Sequence, residues 1–248
     1  AFAVATSGRP GPVVVALPED MLRDLVDAPQ ALPYVPVETH PGPKQIAALG
    51  TLLEKAERPL VILGGTRWTA DAVADFTAFA ERWSLPVTCS FRRQMLFDNL
   101  HPNYAGDVGI GINPALAGEI KNADLLILIG GRMSEMPSSS YTLIDIPYPR
   151  QTLVHVHPDT AELGRVYRPE LAINADPTSF AAALTTLAPT TPPKWTARTT
   201  AMHEAYRSWS TPPETGPGAV AMGPIMTWLE ANLPDDAIMT NGAGNYAT

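Results

Sequence analysis

Two short runs constrain this chain more than anything else in it. Pro59-Leu60-Val61-Ile62-Leu63 and Asp124-Leu125-Leu126-Ile127-Leu128-Ile129 are almost wholly apolar, and they run into double glycines, Gly64-Gly65 and Gly130-Gly131. A strand with one wet face alternates polar and apolar residues. Continuous aliphatic runs instead fit strands covered on both faces, as in a parallel sheet sandwiched by helices. The segments between have helical spacing: 44–56 brings Ile46, Leu49, Leu53 and Ala56 to one side, and 69–83 does the same with Val73, Phe76, Phe79 and Trp83. Asn113 is placed to cap a helix that starts on Pro114 and runs to about residue 121. Further strands are expected over 86–90, 151–156 and 171–174, a short helix over 160–163 and a closing helix over 177–187, with 101–111 irregular. The alternation predicts an α/β fold: a doubly wound, mainly parallel sheet in a Rossmann-like three-layer domain. Ligands of such sheets sit at the carboxyl ends of the strands.

Proline sets the expected boundaries. Pro29, Pro33, Pro36, Pro41 and Pro43 stiffen one segment, and Pro189, Pro192, Pro193, Pro212, Pro213 and Pro217 another; neither suits a helix or a central strand. The expected division is an opening segment 1–28, a linker 29–43, a central domain 44–188, a proline-rich linker with a short helix 189–218, and a closing segment 219–248. In the flanking segments, 11–18 and 237–239 read as apolar strands, the second followed by the small-residue turn 241–248. A strand feeding a glycine turn ordinarily leads to a helix whose amides bind an anion, so the chain reads as a fragment with half a ligand site at its end.

Charge narrows the partners. Lys and Arg number 17 against 25 Asp and Glu, a net charge of −8 without a basic cluster, which argues against nucleic acid and anionic membrane. No run approaches the roughly eighteen apolar residues of a membrane span, and the opening residues lack the pattern of a secretory signal. The single cysteine, Cys89, can form no internal disulfide and fits a reducing cytoplasm; on its strand it reads as a small buried hydrophobe.

Candidate chemistry is sparse. At each double glycine a missing Cβ lets backbone amides approach a phosphate, or simply permits a tight turn. Neither sequence supplies the third spaced glycine of the dinucleotide fingerprint. Arg132, just past a strand end, suits a phosphate or a flat ring, and equally a surface salt bridge. His155 and His157 share one face of a strand, but no third ligand is spaced to complete a metal site. Ser138-Ser139-Ser140 lacks a nucleophile-elbow context, and no carboxylate pair is fixed near a glycine turn for acid/base work. The residues thus point to a nucleotide-scale binding fold, with no catalytic and no metal-ligating residue assigned.

Taken in order, the motifs resemble a known family. Thr6-Ser7-Gly8-Arg9-Pro10-Gly11-Pro12-Val13 with Ala16-Leu17-Pro18-Glu19-Asp20 is similar to the end of the pyrimidine-binding domain of thiamine-diphosphate enzymes of the acetolactate synthase type. Arg58 to Gly65, Leu85-Pro86-Val87, His101-Pro102-Asn103-Tyr104-Ala105-Gly106, Ala123 to Arg132 and His155-Val156-His157-Pro158-Asp159 with Glu162-Leu163-Gly164 resemble its central domain. Gly223-Pro224-Ile225-Met226 and 241–248 resemble the opening of its diphosphate-binding domain. The resemblance implies a parent enzyme, a homodimer or homotetramer, that uses thiamine diphosphate and magnesium to make or break bonds beside the carbonyl of a small 2-oxo acid. The family's activating glutamate and its Gly-Asp-Gly magnesium motif match nothing in this sequence, so the chain alone is expected to be inactive. Gly244, Asn245 and Tyr246 match the first diphosphate contact, and Gly64, Gly65, Gly130, Gly131 and Arg132 the place where some members hold FAD or ADP. Met133-Ser134-Glu135, Gly106 to Gly111 and His155 to Pro158 depart from the flavin-bearing pattern. A stand-alone nucleotide-binding regulatory module and a purely structural spacer are the alternatives.

Overall fold

A computed structural model describes residues 1–27, 30, 32–216, 220–240 and 242. The chain opens with a one-turn helix α1 (Phe2–Thr6) and an extended, exposed stretch, and becomes regular at α2 (Pro43–Lys55). There follow β1 (Pro59–Leu63), α3 (Ala70–Arg82), β2 (Val87–Ser90), β3 (Tyr104–Val108), α4 (Pro114–Lys121), β4 (Leu125–Ile129), β5 (Thr152–His157), β6 (Leu171–Asn174), α5 (Pro177–Leu184), α6 (Thr196–Ser210) and α7 (Met222–Asn232).

The six strands form one sheet in the order β3-β2-β1-β4-β5-β6, and every pair is parallel. The two apolar runs are its central pair, with Leu63 opposite Ile129. Their alternate residues feed two cores: Val61, Leu63, Ile127 and Ile129 meet α2, α3 and α5 on one face, while Leu60, Ile62, Leu126 and Leu128 meet α4 and the 133–167 region on the other. Both faces are dry, which is why neither run could alternate. Asp124 fixes where the sheet begins, since its carboxylate accepts the backbone N–H groups of Glu57 and Arg58 at 2.7 and 2.9 Å.

Helix starts follow local chemistry. Thr69 Oγ1 accepts the Ala72 amide at 3.2 Å at the head of α3, and Asn113 Oδ1 accepts the Ala115 amide at 2.9 Å ahead of Pro114 in α4. Asp176, at the head of α5, caps outward instead. It accepts the Thr39 amide at 2.7 Å and pairs with Arg67 at 3.0 Å, which ties the segment before α2 to the sheet.

Several elements differ from expectation. Residues 104–108, expected to be irregular, form the edge strand β3, whose glycine and aspartate hide its strand character. Its exposed edge is covered by α6: the Tyr104 carbonyl accepts from His203 Nδ1 at 2.8 Å, and the Tyr104 and Tyr206 rings meet edge-on at 4.8 Å. Where a proline-rich linker with a short helix was expected, α6 is fifteen residues long and bonded to the domain, with Trp195 Nε1 donating to the Trp83 carbonyl at 2.8 Å and Arg198 Nη1 to the Pro59 carbonyl at 2.8 Å. The 160–163 segment is a turn rather than a helix. Segments 11–18 and 237–239 form no strand; Val14 and Ile238 are 93% and 89% exposed. Among the described residues no strand lies beside either one, and an unpaired strand leaves its backbone groups without partners. No helix among the described residues is long and apolar enough to cross a membrane.

Candidate functional site

The strand order fixes where a ligand can enter. From β1 the chain moves outward through β2 to β3, then returns to lay β4 on the other side of β1, so the direction of winding reverses between β1 and β4. Strand ends diverge at such a point and leave a crevice. A cleft of about 540 Å³ lies there, lined by Gly65 after β1, by Ser90 to Arg93 after β2, by Gly130, Gly131, Arg132, Ser134 and Pro137 after β4, by His157 and Pro158 at the end of β5, and by Arg9 and Pro10 from the opening segment.

The two double glycines meet at the floor of this cleft. Gly65 and Gly130 both have φ of +72°, and a Cβ on Gly65 would run into the Gly130 carbonyl oxygen. A Cβ on Gly130 would stand 2.6 Å from the Gly64 carbonyl oxygen, and one on Gly64 3.0 Å from the Gly131 Cα. The turns are glycine because they touch each other across the β1–β4 seam, which satisfies the tight-turn alternative without any ligand.

Side chains give the cleft its chemistry. Four arginines line it, Arg9, Arg92, Arg93 and Arg132, and no Asp or Glu does so among the described residues. On a chain of net charge −8 this is a concentrated positive site. Arg132 pairs with Glu162 at 3.5 Å, and so does Arg9 at 3.5 Å; Arg165 joins at 3.6 Å. Arg92 holds a left-handed backbone, φ 59°, with its guanidinium 5.2 Å from the centroid of the Phe91 ring, and Met133 is likewise left-handed at φ 47°. Non-glycine residues in this region store strain, which gathers where function fixes geometry.

His155 and His157 point to the same face of β5, with rings 6.0 Å apart. His155 is 4% exposed and its Nε2 lies 2.9 Å from the Gly131 carbonyl, so Nε2 carries the proton and the ring braces the glycine turn. Burial drives its pKa down to about 4. His157 Nδ1 lies 3.0 Å from the Asp159 amide and 3.2 Å from the Asp159 carbonyl; burial lowers this pKa as well. Among the described residues no cluster of three metal-ligating side chains forms. Ser138 is a turn residue, its Oγ accepting the Tyr141 amide at 2.9 Å. Cys89 packs in the core beneath β2, where burial lifts its thiol to about 12, in keeping with a buried hydrophobe.

Of the expected binding residues, Gly65, Gly130, Gly131 and Arg132 line the cleft, and Gly64 lies directly beneath it. Gly244, Asn245 and Tyr246 lie outside the described residues. Sequence reasoning passed over Arg92 and Arg93, although a Phe-Arg-Arg run directly after a strand was a readable signal. It also passed over Arg9 and the junction role of Glu162, which only folding brings together.

This arrangement has counterparts. Residues 46–184 match the family described as thiamine pyrophosphate enzyme, central domain. The chain belongs to the thiamine pyrophosphate enzymes. The large subunit of acetolactate synthase from Corynebacterium glutamicum is 33% identical over 181 residues, covering 71% of this chain and 28% of that protein. The corresponding subunit from Parasynechococcus marenigrum is 30% identical over 263 residues, covering 99% and 40%. Benzoylformate decarboxylase from Polynucleobacter necessarius superposes with a TM-score of 0.63 at 24% identity, over 79% of this chain and 36% of that one, and so shares the fold. The chain spans less than half the length of these relatives. It is a thiamine pyrophosphate enzyme central domain resembling that of acetolactate synthase.

Proposed function

We propose that the chain serves a thiamine-diphosphate-dependent enzyme acting on a small 2-oxo acid, a decarboxylase or synthase, and that its own part is to bind and position rather than to react. The relatives' names support the reaction class. Thiamine diphosphate supplies the carbanion chemistry in such enzymes, and the protein supplies orientation. Cofactor contact is proposed for Gly244, Asn245 and Tyr246 on the family resemblance.

The observation that carries the second half is the arginine-lined cleft at the switch point. Guanidinium groups on a half-enclosed surface suit a diphosphate, and Arg132 can form paired hydrogen bonds to it. We assign the cleft to the diphosphate of a nucleotide, ADP or FAD. Titration calorimetry of the full chain with ADP, FAD and inorganic pyrophosphate tests this. Binding that weakens about tenfold in Arg132→Leu is expected, the order of one lost charge-assisted contact. Silence on all three ligands would leave the domain a structural spacer, and pyruvate decarboxylation by the chain with thiamine diphosphate and magnesium would overturn the positioning role.

A further inference from the structure

Glu162 is 8% exposed and sits in the turn after β5, outside the set of residues lining the cleft. Its Oε1 faces three guanidinium groups at once: Arg9 and Arg132, which line the cleft, and Arg165, which does not. All three contacts are long, 3.5, 3.5 and 3.6 Å, and all use the same oxygen. A carboxylate engaged in a strong arginine pair accepts two parallel bonds at about 2.7–2.9 Å. Here one oxygen is shared three ways at the outer limit, so no guanidinium is committed and three cations face one anion. Arg9 and Arg132 are 52% and 34% exposed at their side chains and reach the cleft, while the Glu162 side chain is 7% exposed.

We propose that Glu162 is an internal counter-ion that competes with the cleft's ligand for Arg9 and Arg132. It holds the two arginines near the cleft in the free protein and gives them up to a polyanion. Resting on the diphosphate assignment above, this makes Glu162 a positioning residue that sets the affinity of the site. It also couples the opening segment to ligand: Arg9 and its neighbour Gly8, whose Cβ position lies 3.3 Å from the Asp159 carboxyl carbon, dock that segment on the same turn. Ligand capture would shift Arg9 off the turn and loosen the dock.

The test uses the full chain, inorganic pyrophosphate as probe and calorimetry at low ionic strength. Glu162→Gln keeps the shape of the side chain and removes its charge. Pyrophosphate is expected to bind about tenfold tighter to this variant, since a unit negative charge has been taken from beside the site, and the gain is expected to fade as salt is raised. Arg165→Leu has the opposite sign: with one competitor gone, Glu162 holds Arg9 and Arg132 more firmly and binding weakens. Unchanged or weaker binding by Glu162→Gln, with the wild type binding normally and melting temperatures alike, would overturn the counter-ion role and leave the diphosphate assignment standing. Failure of both wild type and Glu162→Gln to bind would overturn the two together. Binding by Glu162→Gln where the wild type binds too weakly to detect would support the proposal.

Discussion

Replacing Gly65 with alanine separates two reasons for a glycine at the end of β1. Gly65 and Gly111 share the same backbone, φ +72°, but a Cβ at Gly111 meets nothing within 4 Å, whereas at Gly65 it strikes the Gly130 carbonyl. Holding an L-residue in the left-handed region costs about 1–2 kcal/mol, and the stiffer unfolded chain of an alanine variant magnifies native stability by about 0.4–1 kcal/mol. Gly111→Ala should therefore lose about 1 kcal/mol. Gly65→Ala carries the same loss and also forces the two turns apart, an overpacking cost of about 1–3 kcal/mol. The Gly64 amide's 2.9 Å bond to the Ile129 carbonyl is the first contact stretched, and a loss of about 3 kcal/mol in all is expected. For a chain of this length each kcal/mol moves the melting temperature by about 2–4 °C, which gives a drop of about 6–12 °C for Gly65→Ala against about 2–4 °C for Gly111→Ala. Urea unfolding followed by circular dichroism supplies the free energies and thermal scans the midpoints. Equal losses in the two variants would refute the turn-to-turn contact as the reason for the double glycines.

Two further outcomes follow from buried titratable groups. His155 has its pKa lowered from 6.5 to about 4, so the unfolded chain binds more protons between those values and stability rises with pH across that window. Acidification from pH 7 to 4 should cost up to about 3 kcal/mol through this residue, with the lowered pKa of His157 adding in the same direction; urea midpoints of wild type and His155→Gln should converge as pH falls, and parallel pH profiles would contradict a buried neutral imidazole. Cys89, with its thiol lifted to about 12, should resist an aromatic disulfide reagent at pH 8 in the native chain and react in full once unfolded; rapid native labelling would show that the core beneath β2 opens.

The sheet was legible where physics acts locally. β1 falls on the expected residues and α4 starts where Asn113 and Pro114 put it, whereas α2 starts on Pro43, expected in the linker as unsuited to a helix although proline fits a first helical position. β3 was not legible, because Tyr104-Ala105-Gly106-Asp107-Val108 has neither alternation nor an apolar run; it is a strand because β2 offers it an edge and α6 covers it. Segments 11–18 and 237–239 err the other way: their apolar residues favour a strand that needs neighbours to exist. At the site, the glycines and Arg132 were visible because they directly follow strong strands. Arg9 and Glu162, 153 positions apart in sequence, become a pair only through the fold.

The floor and the walls of the cleft are built differently. The floor of the cleft is backbone, two glycine turns locked against each other and braced by His155 against the Gly131 carbonyl. A side chain added to it at Gly65 would strike the Gly130 carbonyl. The walls are side chains on the segments after β2, β4 and β5 and on the opening segment, and Arg92, Arg93 and Arg132 lie outside the paired strands. The backbone contacts that hold the turns together and the side chains proposed to bind thus belong to different residues of one cleft. On the reading proposed above, an anion in the cleft would meet Arg92, Arg93 and Arg132 above this glycine floor, with Glu162 competing for Arg132.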